Sequence, residues 1–159
     1  MRQKKRSSRI VTIGGIAAIT ALVGFMIALQ VEASRNNDYR RSIEQIIIDA
    51  NSLTREYQNE EGKWRAKEYD NATMISIIDQ YLPRYQALID RANSLDTPER
   101  YKTAHGYLVS AIQSEMQSNE HFRNYLATGD QSEYEKSSEM LSKSLADSAR
   151  ADAAIKEAG

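Results

Sequence analysis

The chain of 159 residues contains two histidines, His105 and His121, and no cysteine, so any chemistry must come from imidazoles, carboxylates and hydroxyls. The lack of cysteine excludes disulfides, thiolate metal sites and thiol nucleophiles. The histidines are 16 positions apart on one predicted helix. That is roughly 24 Å at about 1.5 Å per residue, too far to grip one ion within a monomer. Carboxylate-bridged metal sites in helical bundles use Glu-x-x-His pairs, whose members share a face, and none occurs here. Neither GxGxxG nor GxxxxGK[ST] is present, and Gly14-Gly15 lies inside an apolar run. Serines are plentiful, yet a nucleophile needs an oriented base and a strained turn, and nothing singles one serine out. The expectation is a protein without metal or cofactor that is not an enzyme.

Nine tyrosines stand against two phenylalanines. Six of the tyrosines, Tyr39, Tyr57, Tyr81, Tyr85, Tyr101 and Tyr134, fall on apolar stripes, where a ring packs and its hydroxyl finds a partner. Amphipathic core filling is the plain reading, and a polar-lined cavity for a small ligand is the functional one. Trp64, the only tryptophan, either plugs the far end of a bundle or displays a docking aromatic. Asn71-Ala72-Thr73 matches the glycosylation acceptor pattern at Asn71. Pro83 sits inside a helical stripe and should bend it, since it cannot donate to the carbonyl of Asp79.

These groups are carried by a chain with a membrane signature at its start. Residues 10–31 are interrupted only by Thr12, Thr20 and Gln30, long enough to span a bilayer and longer than the apolar core of a secretory signal. Residues 1–9 carry five basic groups and no acidic one, which places this tail in the cytoplasm and residues 32–159 outside. The competing reading is cleavage after Ala33, leaving a secreted bundle. Gly14, Ala17, Ala21, Gly24 and Ala28 follow one another at steps of three and four, one small-residue face along the span. Such faces let helix backbones approach closely in lipid. From Arg35 onward acidic residues outnumber basic ones by 21 to 16, which argues against nucleic acid as a partner.

The exported part reads as all-α, an up-down-up-down four-helix bundle. Helices are predicted at about 36–59, 72–95, 98–127 and 132–158. The first carries Tyr39, Ile43, Ile46, Ala50, Leu53 and Tyr57 at steps of four and three, and the second repeats the pattern from Met74 to Leu95. Asp96 or Thr97 can cap the third helix, with Pro98 in its first turn. Its middle, Ser114 to Asn119, is polar and reads as the weakest core surface. Gly129 ends it, and Asp130 with Glu133 forms a capping box for the fourth, whose stripe reads Tyr134, Leu141, Leu145 and Ile155 with small Ser138, Ser148 and Ala151 between. Glu60 to Asp70 is the one longer connection.

The run from Thr97 to Leu141, with Pro98, Tyr101-Lys102, Ala104-His105, Tyr125, Thr128-Gly129-Asp130 and Tyr134, resembles a loose pattern in uncharacterised single-anchor helical proteins of archaea and bacteria. The resemblance covers about a third of the chain and implies an exported helical bundle with no activity or site attached. In architecture alone, a single span with an outer bundle is also similar to the small accessory subunits of archaeal membrane oxidases, including the ammonia monooxygenase complex.

The expected role is that of a membrane-anchored accessory subunit. Its partners would be the lipid bilayer and another membrane subunit or a second copy, met through the span and the exported bundle. The alternative is an extracytoplasmic sensor or carrier that binds a small-molecule ligand. It would be similar to the outer domains of chemoreceptors, but with no second apolar run to return through the membrane.

Overall fold

The computed structural model describes residues 37–158. The basic tail, the apolar run with its small-residue face, and the cleavage alternative at Ala33 lie outside the described residues. Within them the chain is helical almost throughout: α1 (Asn37–Arg65), α2 (Asn71–Asn93), a 3₁₀ turn (Glu99–Tyr101), α3 (Lys102–Thr128) and α4 (Gln131–Ala158). Among the described residues there is no strand, and no helix is long and apolar enough to cross a membrane.

Pairing across the helices fixes their directions. Arg91 meets Asp49 and Arg84 meets Glu56, each at 2.7 Å, so numbers fall along α2 as they rise along α1. Asp79–Arg123 and Tyr85–Glu115 set the same opposition between α2 and α3, and Ser110–Asp147 and Ser118–Ser137 between α3 and α4. Tyr39–His105 and Trp64–Phe122 run in one sense, making α1 parallel to α3. Close backbone packing follows chain order, α1 on α2, α2 on α3 and, tightest, α3 on α4. Short connections impose this, because a turn of a few residues can only return the chain beside the helix it leaves.

The helix ends correct several expectations. α1 runs on to Arg65, so Glu60 to Lys63 are helical and the connection shrinks to 66–70. Lys63–Glu60 and Arg65–Glu61 pairs one turn apart support these turns, where the exposed Gly62 alone disfavours helix. The helix closes with Lys67 in the left-handed region at φ 64°, its N–H on the Trp64 carbonyl and that of Glu68 on the Lys63 carbonyl. That is the Schellman closure with a lysine where glycine is usual. Asp70 caps α2 by accepting from the Thr73 N–H at 2.8 Å, one residue earlier than the pattern indicates. The expected cap from Asp96 or Thr97 is not made; Pro98 opens a 3₁₀ turn without a side-chain cap, and the Thr97 hydroxyl donates to the Leu95 carbonyl instead. Gly129 ends α3 at φ 72° as its position predicts. Asp130 caps Ser132, while the Glu133 side chain turns to His121, so the capping box is only half formed.

The core has two apolar clusters. One, at the end where α1 begins, holds Ile43, Ile46, Ile47, Leu108, Ile112 and Ile155 among others; the second, at the far end, gathers Tyr57, Met74, Ile78, Phe122 and Leu126. Burying one such large aliphatic or aromatic side chain stabilises the fold by about 1.5–3 kcal/mol. The fourth stripe meets expectation at Ser148, Ala151 and Ile155, which are buried, but Leu141, Leu145 and Tyr134 are only half-buried and Ser138 is exposed, while Ser137 and Ser144 are buried instead. Small side chains shorten the axis-to-axis distance, and α4 gains contact by backbone proximity to α3 in place of bulky apolar packing.

Candidate functional site

Between the apolar clusters lies a buried polar layer. Asn51, Thr54 and Tyr57 of α1 all turn inward, though Asn51 and Tyr57 lie about 120° apart around the helix, and Glu115 and Asn119 of α3 lie one turn apart on its inward face. All five are more than nine-tenths buried. Tyr85, fully buried on α2, donates its hydroxyl to Oε1 of Glu115 at 3.0 Å. The Thr54 hydroxyl faces the same pair without a hydrogen bond of its own. Burial pushes the Glu115 carboxyl above the ordinary carboxylate range, against the pull of Thr54 and Tyr85. Burial also raises the Tyr57 and Tyr85 hydroxyls well above the usual phenol value; nearby Glu61 and Glu115 add to this at Tyr57, and Glu115 does so at Tyr85.

Four atoms of this layer lack hydrogen-bond partners: Asn51 Oδ1, Thr54 Oγ1, the Tyr57 hydroxyl and Asn119 Nδ2. Each such group costs about 1–3 kcal/mol when left unpaired in a dry interior. The polar stretch from Ser114 to Asn119, which reads as poor core in the sequence, is therefore interior. Its signal was present as four polar positions on the inward face of α3, but amphipathic reasoning assigns polar residues to solvent.

A second polar cluster seams α3 to α4. Lys143 Nζ donates to Ser110 Oγ at 2.7 Å, Ser114 Oγ at 3.0 Å and Asp147 Oδ2 at 2.7 Å, and Ser110 also donates to Asp147. Burial would raise the Asp147 carboxyl, but hydrogen bonds from Lys143 and Ser110, the Lys143 charge and Arg150 outweigh it and hold it below the ordinary range. A serine–lysine nucleophile needs a neutral, desolvated amine. Here the lysine is half-exposed and bonded to a carboxylate, so the amine is not desolvated. The cluster joins helices.

The histidines are separated as their spacing requires. His105 Nδ1 lies 3.2 Å from the Tyr39 hydroxyl, and partial burial depresses its basicity. His121 Nδ1 pairs with Glu133 at 2.8 Å; with Lys136 and Asn124 it holds the Glu133 carboxyl down to about 2. Among the described residues no group of three or more His, Asp or Glu side chains converges to hold a metal. An open groove of about 370 Å3 between the start of α1 and the end of α2 is lined by Arg41, Gln45, Arg91 and Ser94, with Arg91 already paired to Asp49.

At the far end Trp64 lies edge-on to Phe122, ring centroids 5.2 Å apart, with its Nε1 donating to Asn71 Oδ1 at 3.0 Å. Asn71 Nδ2 in turn reaches the Leu126 carbonyl at 3.4 Å. The half-buried tryptophan thus packs against α3 from the end of α1, and Asn71 links three helix ends. A glycan on Asn71 would be carried by the same Nδ2 that makes this contact.

No protein-family model matches the chain, and no curated protein or solved structure is significantly similar to it.

Proposed function

We propose that the protein is a membrane-anchored interaction protein and not an enzyme. Residues 1–9 form a cytoplasmic tail, residues 10–31 the span, and the rest an exported up-down-up-down four-helix bundle. It works as an accessory subunit of a membrane assembly, docking through the small face of Gly14, Ala17, Ala21, Gly24 and Ala28. One observation carries the non-enzymatic reading: the basic and nucleophilic groups best suited to catalysis, His105, His121, Lys143 and Ser110, are each bonded to side chains of neighbouring helices. These bonds join helices, and the groove lined by Arg41, Gln45, Arg91 and Ser94 contains none of the four groups.

The docking test replaces Gly24 or Ala21 by leucine, followed by gentle solubilisation and co-purification. Loss of partners is expected; unchanged partners would sink the docking role. Topology is read separately. The chain has no cysteine, so Ser132→Cys, exposed at the start of α4, gives a single thiol. A membrane-impermeant maleimide should label it in intact cells.

A second reading, a ligand-binding sensor or carrier, is supported by the buried polar layer. Interiors pair their polar groups almost completely, so four unpaired atoms in one stratum suit a guest.

A further inference from the structure

Helix α4 is held to the bundle differently from its neighbours. The residues it buries are Ser137, Ser144, Asp147, Ser148, Ala151 and Ile155, so Ile155 is the one large apolar side chain among them. Every residue that α2 buries, from Met74 to Ala92, is aliphatic or aromatic. Tyr134, Leu141 and Leu145 of α4 stay half-buried. Hydrophobic stabilisation scales with the apolar area removed from water. The close approach of α4 to α3 therefore brings dispersion contacts but little of that larger contribution.

The surface of α3 that α4 covers is polar as well. Ser118 donates to the Ser137 carbonyl at 2.8 Å, Lys143 to Ser110 and Ser114, and His121 pairs with Glu133. When the helices part, each of these groups exchanges a protein partner for water, so the net loss per bond is small. The apolar core is barely touched: among the described residues the larger cluster draws only Ala151 and Ile155 of its buried members from α4, and the smaller draws none. The exposed turn at Gly129, whose φ of 72° glycine adopts without strain, joins α4 to α3 and serves as the hinge.

We infer that α4 is a strap that leaves α3 as a unit, while α1, α2 and α3 keep both apolar clusters and stay folded. Helix α1 could not leave in this way, because Ile43, Ile46, Ile47 and Leu53 would all come out of the core with it. Opening bares a face of α3 on which Ser110, Ser114 and Ser118 follow at steps of four, a surface that water solvates readily. The inference is independent of docking through the span and of ligand binding.

The test uses the full chain in detergent. Because the chain has no cysteine, Ser144→Cys places a single thiol in the middle of the seam, and Ala50→Cys places one in the core on α1. Labelling by a small thiol reagent under native conditions reads how often each site opens. Ser144→Cys should react at least about tenfold faster than Ala50→Cys, and its place in the middle of α4 separates undocking from fraying of the helix end. Adding Lys143→Met, which removes the donor to Ser110 and Ser114 and keeps the apolar stem, should speed labelling at 144 further and leave that at 50 unchanged. Equal rates at the two sites, or an equal effect of Lys143→Met on both, overturns the inference, since α4 would then leave only when the whole bundle unfolds. If either thiol variant fails to fold, amide exchange of the parent chain decides. The slowest amides between 137 and 151 should exchange together, at least about tenfold faster than the slowest of α2 and α3, and one common slowest rate overturns the inference.

Discussion

The Tyr85 hydroxyl donates to Glu115 at 3.0 Å where neither side chain meets bulk water, Tyr85 being 0% and Glu115 8% exposed. The bond joins α2 to α3 midway between two apolar clusters. A slide of either helix by one turn would strand a carboxyl and a phenol in hydrocarbon surroundings. The pair therefore pins the register that the apolar stripes alone leave loose.

Stability should depend on pH through Glu115. Its carboxyl is raised in the folded protein above the unfolded value of 4.5, so the folded state holds the proton more tightly. Stability is then highest below pH 4.5 as far as this group is concerned, and falls as pH rises from there through the folded value. Glu115→Gln removes the titration and keeps the acceptor. Its thermal midpoint should exceed that of the parent at pH 8 and show a flatter dependence over the intervening range.

Glu133 should act in the opposite sense. Its carboxyl is held down to about 2 by His121, Lys136 and Asn124, so its contribution is present above pH 4.5 and lost as pH falls from 4.5 towards 2. The His121→Ala variant should lose part of this acid-side dependence, measured as unfolding midpoint between pH 2 and 5.

Two backbone positions leave room for improvement. Lys67 occupies a left-handed conformation at φ 64° that glycine adopts without strain, and Lys67→Gly should stabilise by about 0.5–1 kcal/mol. Gly106 is helical and exposed, and an added Cβ would meet nothing within 4 Å; Gly106→Ala should gain a similar amount, about 0.5–1 kcal/mol. Urea unfolding of the single variants and the pair checks both values, and the two should add because the sites share no partner.

The α3–α4 seam should not tolerate volume. Ser144 is 2% exposed on a helix that packs closely along α3, and Ser144→Leu should cost about 1–3 kcal/mol by overpacking. The same change at exposed Ser142 should be nearly neutral. Equal losses at both positions would mean that the helix and not the seam is responsible.

Periodicity alone determined a great deal of this protein. A stripe at steps of three and four commits a segment to one buried face whatever it meets, so Tyr39 to Tyr57 and Met74 to Ala92 are legible before any contact is known. Gly129 is equally legible, because a left-handed residue at a helix end favours glycine for local steric reasons. What the tertiary structure decided is where polar groups could be buried. Ser114, Glu115, Ser118 and Asn119 read as the weakest core surface, and Leu141 and Leu145 as core, since sequence hydropathy assumes that each helix buries its largest apolar residues. The assumption fails when two helices approach through serines and alanines: Ser137, Ser144 and Ala151 let α4 sit against α3, its leucines are left at the edge, and α3 turns its polar side inward. Whether a serine is surface or seam depends on the distance between two backbones, and that distance is a property of the packed bundle.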